Sequence, residues 1–208
     1  MTLGLSEFYL PLMIIAFIIG LTKYPFFQPN YLKTFVGFIF ISILPEVIPI
    51  WWEKDNHIIY NIYRLIETPY LCWLYSRAVH KGITRQILTI ITIVAPLVFI
   101  LTLTDWHQYN TTGGLISNIV IIFIIVTYFL DLLRKPTVVD LIRLPLFWIS
   151  VGLLFFYIGN TPFHGILNYL NQHYRQMAVE YMLLTHILII IMYICFIIGF
   201  LCRPLNQK

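Results

Sequence analysis

The sequence predicts an all-α polytopic membrane protein, a seven-transmembrane-helix bundle forming a single transmembrane domain over residues 1–208. Three observations predict it. The chain is 60% hydrophobic and only 11% charged, where ordinary soluble domains run nearer ~25% charged. Seven apolar stretches approach the ~20 residues that a helix needs to cross a bilayer core of ~30 Å. Finally, the cations gather in alternate loops. The apolar content runs the whole length, so no segment is polar enough to make a separate soluble domain.

The first stretch, 7–23, has Glu7 at its start and no Lys or Arg before it, and no small-residue cleavage site follows. It reads as a retained membrane helix and not as a cleavable signal. The second, 34–52, carries Glu46 between Pro45 and Pro49, and the third, 58–79, carries Arg64, Glu67 and Pro69. The fourth, 86–106, is interrupted by Pro96. The fifth, 114–134, ends in Asp131 with Arg134 and Lys135, read as a surface charge pair. "PTVVDLIRL" then reads as a short amphipathic connector at the membrane surface. The sixth stretch, 145–168, contains Pro162, and the seventh is 178–202.

Orientation follows from the basic residues. Lys23 and Lys33, Arg77, Lys81 and Arg85, Arg134, Lys135 and Arg143, and Arg203 and Lys208 follow the odd-numbered helices. Only Lys54 and Arg175 fall on the other side, so the positive-inside rule puts the N-terminus outside and the C-terminus in the cytoplasm. The net charge of +4 reports this topology and gives no sign of nucleic-acid binding. Cys72, Cys195 and Cys202 form no C-x-x-C pair and read as small buried hydrophobes. Asn110-Thr111-Thr112 matches the N-glycosylation pattern, a short motif that often arises by chance.

The candidate site comes from polar residues inside these apolar runs. A charged side chain at membrane depth costs roughly 2.5–3.5 kcal/mol on insertion scales, so it is normally paired or functional. Glu46 and Arg64 each lie ~9 Å from the outer ends of neighbouring antiparallel helices. An ion pair between them follows if their faces meet. Glu67 lies one turn deeper than Arg64 on nearly the same face, which leaves two carboxylates for one guanidinium. Tyr60, Tyr63, Arg64 and Glu67 form one helical stripe, and Tyr157, Asn160 and His164 repeat that periodicity in the sixth helix. His186 lies in the outer part of the seventh helix, with Tyr193 two turns further in. Together these residues would line an outward-facing polar cavity suited to a small ligand. The prolines beside the acids would open the helices there by removing backbone donors. Against this stands the plainer reading that such residues glue helices together through hydrogen bonds worth around 0.6–2 kcal/mol.

The segments "NHIIYNIYRLIETPYLCWLY", "LPLFWISVGLLFFYIGN" and "HILIIIMYICFIIGF" resemble a group of short, poorly characterised bacterial seven-helix membrane proteins. The tyrosines around Glu67 and the F-W-I-x-x-G-x-x-x-x-Y-x-G-N run in the sixth helix carry the resemblance. It implies the bacterial cytoplasmic (inner) membrane and a role as a signalling input unit.

The leading expectation is a sensor or signalling subunit embedded in the lipid bilayer, whose cytoplasmic loops meet a protein partner, with homo-oligomerisation left open. Ligand binding would shift two packings of the bundle through differential affinity. A proton-coupled transporter or channel relaying protons through Glu46, Glu67, His164 and His186 is the second reading. An accessory of a bacterial defence or secretion system is the third. An enzyme is not expected, because no H-E-x-x-H and no G-x-S-x-G occurs. A metal-dependent hydrolase built on His164, His186 and Glu67 is the weakest alternative, and no cofactor is implied.

Overall fold

The computed structural model describes residues 6–27, 29–51, 56–80, 82–134 and 140–202. Among them the chain forms seven α-helices: α1 Ser6–Lys23, α2 Tyr31–Trp51, α3 His57–Ala78, α4 Ile83–Thr102, α5 Thr111–Leu133, α6 Pro145–His173 and α7 Arg175–Leu201. The periodic apolar runs placed these elements to within a few residues at most ends. The sixth helix runs further than expected, to His173, and the fourth stops early, at Thr102. Each helix continues through its prolines, including Pro45, Pro49, Pro69, Pro96 and Pro162. Of the expected surface connector, residues 140–144 are described, with a 3₁₀ turn at Leu141–Arg143, and residues 136–139 lie outside the described residues. Lys54, Lys81, Lys135, Arg203 and Lys208, five of the cations used to orient the chain, also lie outside them.

Six of the helices are long and apolar enough to cross a membrane, which makes this a multi-pass membrane protein by length and composition. The exception is α3, which is as long as the others but polar along one face. The surface pattern supports the same conclusion. On α4, Ile93 is 64% exposed and Leu101 84% exposed, while α3 buries Asn61, Arg64 and Glu67. Exposed aliphatics over buried ions invert the water-soluble arrangement. They suit hydrocarbon as the surrounding solvent.

The helices divide into two compact units. The first comprises residues 1–44, 139–163 and 167–208, and the second residues 45–138 and 164–166. In the first unit α1 packs on α7. A Cβ at Gly20 would come within 3.2 Å of both the Phe200 ring and a Val36 methyl, so the missing side chain lets α1 lie close to its neighbours. Phe35, fully buried, meets Phe196 edge-on at 5.1 Å, and Phe200 meets Phe27 at 5.3 Å with the rings tilted by 45°. Edge-on contacts are among the favoured ring geometries. The antiparallel α6 and α7 touch backbone to backbone at two glycines. A Cβ at Gly152 would stand 2.9 Å from the Met192 carbonyl, and one at Gly199 would stand 2.8 Å from the Pro145 carbonyl. Small residues serve this purpose where apolar burial gives helices no preference for one another over lipid.

In the second unit α3 packs against both α4 and α5, which also pack on each other. Residues Asn61, Arg64, Thr68, Leu71, Cys72 and Tyr75 form the buried stripe of α3, at helical spacing. Only Leu88, Ala95 and Phe99 of α4 are buried, a narrow seam on a helix otherwise turned outward.

The glycine contacts give a paired test. Gly199→Ala should lower the unfolding temperature in detergent, in line with the roughly 1–3 kcal/mol of an overpacked core. Gly37→Ala, whose Cβ would meet nothing within 4 Å, should leave it unchanged or raise it, because alanine is the better helix former by about 0.5–1 kcal/mol. Intrinsic tryptophan fluorescence during heating reads both.

Candidate functional site

The second unit holds the densest polar cluster among the described residues, and α3 supplies most of it. Arg64 Nη1 lies 2.7 Å from Glu67 Oε2, with both side chains buried. The other carboxylate oxygen, Oε1, accepts the Tyr63 hydroxyl at 2.9 Å. Positions three and four apart share a helix face, so Tyr63 and Arg64 both reach Glu67 from one turn away. Tyr60 hydrogen-bonds Glu46 of α2 and lies within electrostatic reach of Tyr109. Tyr109, from the loop between α4 and α5, hydrogen-bonds Arg64. Burial pushes the Tyr109 phenol above its ordinary range against the pull of the Arg64 charge, so the neutral hydroxyl faces the guanidinium.

Glu67 is thus a partner of Arg64 on its own helix, and Glu46 and Tyr60 meet between α2 and α3. An i,i+3 pair needs no second helix in the right azimuth, while a cross-helix pair does.

The α4–α5 loop is fastened onto this cluster by two asparagines. Fully buried Asn61 donates from Nδ2 to the carbonyls of Gln108 at 2.9 Å and Trp106 at 3.3 Å, and its Oδ1 accepts from Asn110 N–H at 3.2 Å. Asn110 caps two helices at once. Its Oδ1 accepts from Gly113 N–H at 2.9 Å, satisfying a free donor at the start of α5. Its Nδ2 donates at 3.0 Å to the Phe99 carbonyl, in the last turn of α4, and at 3.0 Å to Thr102 Oγ1, whose hydroxyl also donates to Phe99. That is why α4 stops at Thr102. A Cβ at Gly113 would collide with the Asn110 amide, and one at Gly114 would stand 3.0 Å from the Tyr109 hydroxyl, so the paired glycines make room for both. The glycosylation pattern at Asn110 is therefore a folding device, since its buried amide is committed to the backbone.

Two further polar side chains are buried here without partners among the described residues. They are Thr68 of α3, at Oγ1, and Asn118 of α5, at both amide atoms. Because Asn61 bonds the loop that precedes α5, α3 and α5 begin at the same end. Asn118 and Arg64 are each seven residues into their helices, hence both ~10 Å from that end. A fully buried amide with neither atom bonded is rare in native folds and costs about 1–3 kcal/mol per unsatisfied group.

Of the remaining predicted residues, Tyr157, Asn160, His186 and Tyr193 belong to the first unit and His164 to the second. Tyr157 and Asn160 are buried, and Asn160 Oδ1 accepts the Thr185 hydroxyl across α6 and α7 at 3.0 Å. His186 lies against the Tyr9 ring, 5.0 Å between centroids and tilted by 31°. Tyr193 packs edge-on to Phe196 at 5.2 Å. The backbone of His164 is within α6, and its side chain lies outside the described residues. Asp131 accepts from the His80 N–H at 3.2 Å, with the His80 ring 3.7 Å away, and Lys135 of its expected charge pair lies outside the described residues. Among the described residues, no three His, Cys, Asp or Glu side chains gather as a metal site would require.

Sequence reasoning missed Asn61, Thr68, Tyr109, Asn110 and Asn118. Asn61 was findable, because it precedes Arg64 by three residues in the same stripe. The others depend on loop path and helix azimuth, which leave no local trace. Comparison with known protein families, curated proteins and solved structures finds no match to this chain.

If Asn110 acts as a double cap, Asn110→Ala should lower the unfolding temperature by the equivalent of about 1–2 kcal/mol. Thr112→Ala, at an exposed position, erases the same glycosylation pattern and should change little. Equal effects of the two substitutions would overturn this reading of Asn110.

Proposed function

We propose that this chain is a membrane-embedded sensor or signalling subunit, with α3 as its responsive element. The observation that carries this is the Asn118 amide, buried and unbonded by any described protein group at the depth of the Arg64–Glu67 pair. Hydrogen-bonding capacity left over at the depth of a compensated ion pair suits a small polar ligand. Such a ligand would compete for Arg64 or Glu67, and the loop held by Tyr109 and Asn61 would register the change. A ligand shifts an equilibrium only by its differential affinity for two states, and exchange of a charged partner offers that difference.

In the full proposal α3 crosses the bilayer with the other six helices. The N-terminus lies outside, the C-terminus lies in the cytoplasm of a bacterial cell, and a protein partner reads the cytoplasmic loops. The distribution of cations supports this orientation. Single cysteines at Gln108 and at Gly82, in a background lacking Cys72, Cys195 and Cys202, test it with a membrane-impermeant thiol reagent on intact cells. Labelling is expected at 108 and not at 82, and the reverse pattern would refute the orientation.

Asn118→Leu tests the ligand reading. Replacing an unsatisfied amide with an apolar group of similar volume should raise basal stability by about 1–3 kcal/mol. It should also abolish stabilisation by small polar molecules. A thermal-shift panel of amino acids, polyols and carboxylic acids on purified wild type, Asn118→Leu and Glu67→Gln reads both effects. Absence of any stabilising compound for wild type across the panel would sink the sensor proposal.

A further inference from the structure

A second polar feature of the α3 unit lies at the other end of the helix, where α3 ends and α4 begins. A cavity of about 330 Å³ opens there, lined from α3 by Trp73, Ser76 and Arg77 and from α4 by Arg85, Thr89, Thr92 and Ile93. Two arginines from two helices thus line one space, and no carboxylate is among its lining residues. The Arg77 guanidinium sits 5.9 Å from the centre of the Trp73 ring, a cation–π contact that fixes its approach without neutralising it. The hydroxyls do not compete with the guanidiniums as donors. Ser76, Thr89 and Thr92 each donate back to their own helix, to the carbonyls of Trp73, Arg85 and Leu88 at 2.7, 2.8 and 3.0 Å. What remains is a doubly cationic, donor-rich pocket, and its complement is an anion with several acceptor oxygens. Guanidinium forks match phosphate in this way.

The surroundings decide the source of that phosphate. Ile93 forms part of the wall, and Ile93, Leu97 and Leu101 continue as an exposed aliphatic stripe along α4, at 64%, 54% and 84% exposure. A soluble anion has no use for such a stripe, whereas an acyl chain does. Basic pockets between membrane helices are recognised headgroup sites.

We propose that the α3–α4 groove binds an anionic phospholipid, with the headgroup phosphate between Arg77 and Arg85 and an acyl chain along Ile93 and Leu97. This site is separate from the Arg64–Glu67 cluster and stands whether or not the sensor reading does.

The experiment is retention of lipid by the purified full chain, read by native mass spectrometry and by thermal stability in nanodiscs. One set of discs is phosphatidylcholine alone, and the other contains phosphatidylglycerol. Wild type should retain phosphatidylglycerol at least tenfold over phosphatidylcholine and melt higher in the anionic discs. Arg77→Gln/Arg85→Gln should lose that preference while melting as wild type does in phosphatidylcholine. Arg143→Gln, which removes an exposed cation paired with Asp140 at 2.8 Å, should keep it. Where the double variant does not fold, Arg85→Gln alone should reduce the preference at least threefold. Equal retention of the two lipids by wild type, or an undiminished preference in the folded glutamine variants, overturns the proposal. Inorganic phosphate that stabilises the wild type in phosphatidylcholine discs as much as phosphatidylglycerol does also overturns it, in favour of a soluble anion.

Discussion

The Arg64–Glu67 pair sets the terms for the unit around it. Both charges are buried at 2.7 Å, on a helix whose neighbours turn isoleucine and leucine outward. The face of α3 that carries them is buried by protein. The α4 and α5 helices pack on α3 and turn aliphatic side chains outward. Desolvation of such a pair can exceed its Coulombic gain, so it is weak evidence of stability in itself. Removing one partner is another matter, because the remaining buried charge is left uncompensated, at about 3–5 kcal/mol. The pair therefore fixes which way α3 faces more than it holds the bundle together.

Hydrogen bonds carry that constraint outward from the pair. Glu67 takes a second donor from Tyr63, Arg64 takes Tyr109, and Tyr60 holds Glu46. Three residues before Arg64, Asn61 binds the same loop that presents Tyr109. Charge compensation inside the unit is thus linked to loop position by a few short contacts. The loop in turn sets where α4 ends and α5 begins, through the Asn110 caps.

The two units are held by different chemistry. In the first, Gly20, Gly152 and Gly199 admit close backbone approach, and Phe35, Phe196 and Phe200 fill the space with interlocked rings. Such packing has one good arrangement, because interiors at crystal-like density do not deform continuously. In the second, a polar network runs through the packing, and Thr68 and Asn118 are buried without partners among the described residues. Low local dielectric makes such unpaired groups costly, so they set the second unit apart from the close-packed first.

The sequence by itself determined the helices, their approximate ends and the polar stripe of α3. Each rests on chain-local physics: the length needed to cross hydrocarbon, the 3.6-residue period, and the low tolerance for charge in an apolar run. It also singled out Arg64 and Glu67. Only the tertiary structure decided how those groups are partnered. Depth follows from counting residues along a helix, but azimuth follows from packing, so the contacts of Glu46 with Tyr60 and of Arg64 with Tyr109 needed the folded chain. The loop residues Tyr109 and Asn110 join the cluster because the chain folds back onto α3 after α4, a path that no local pattern encodes. Asn110 makes the point most directly: three residues that spell a glycosylation pattern in sequence become, once Phe99 and Gly113 are brought beside them, the joint between two helices.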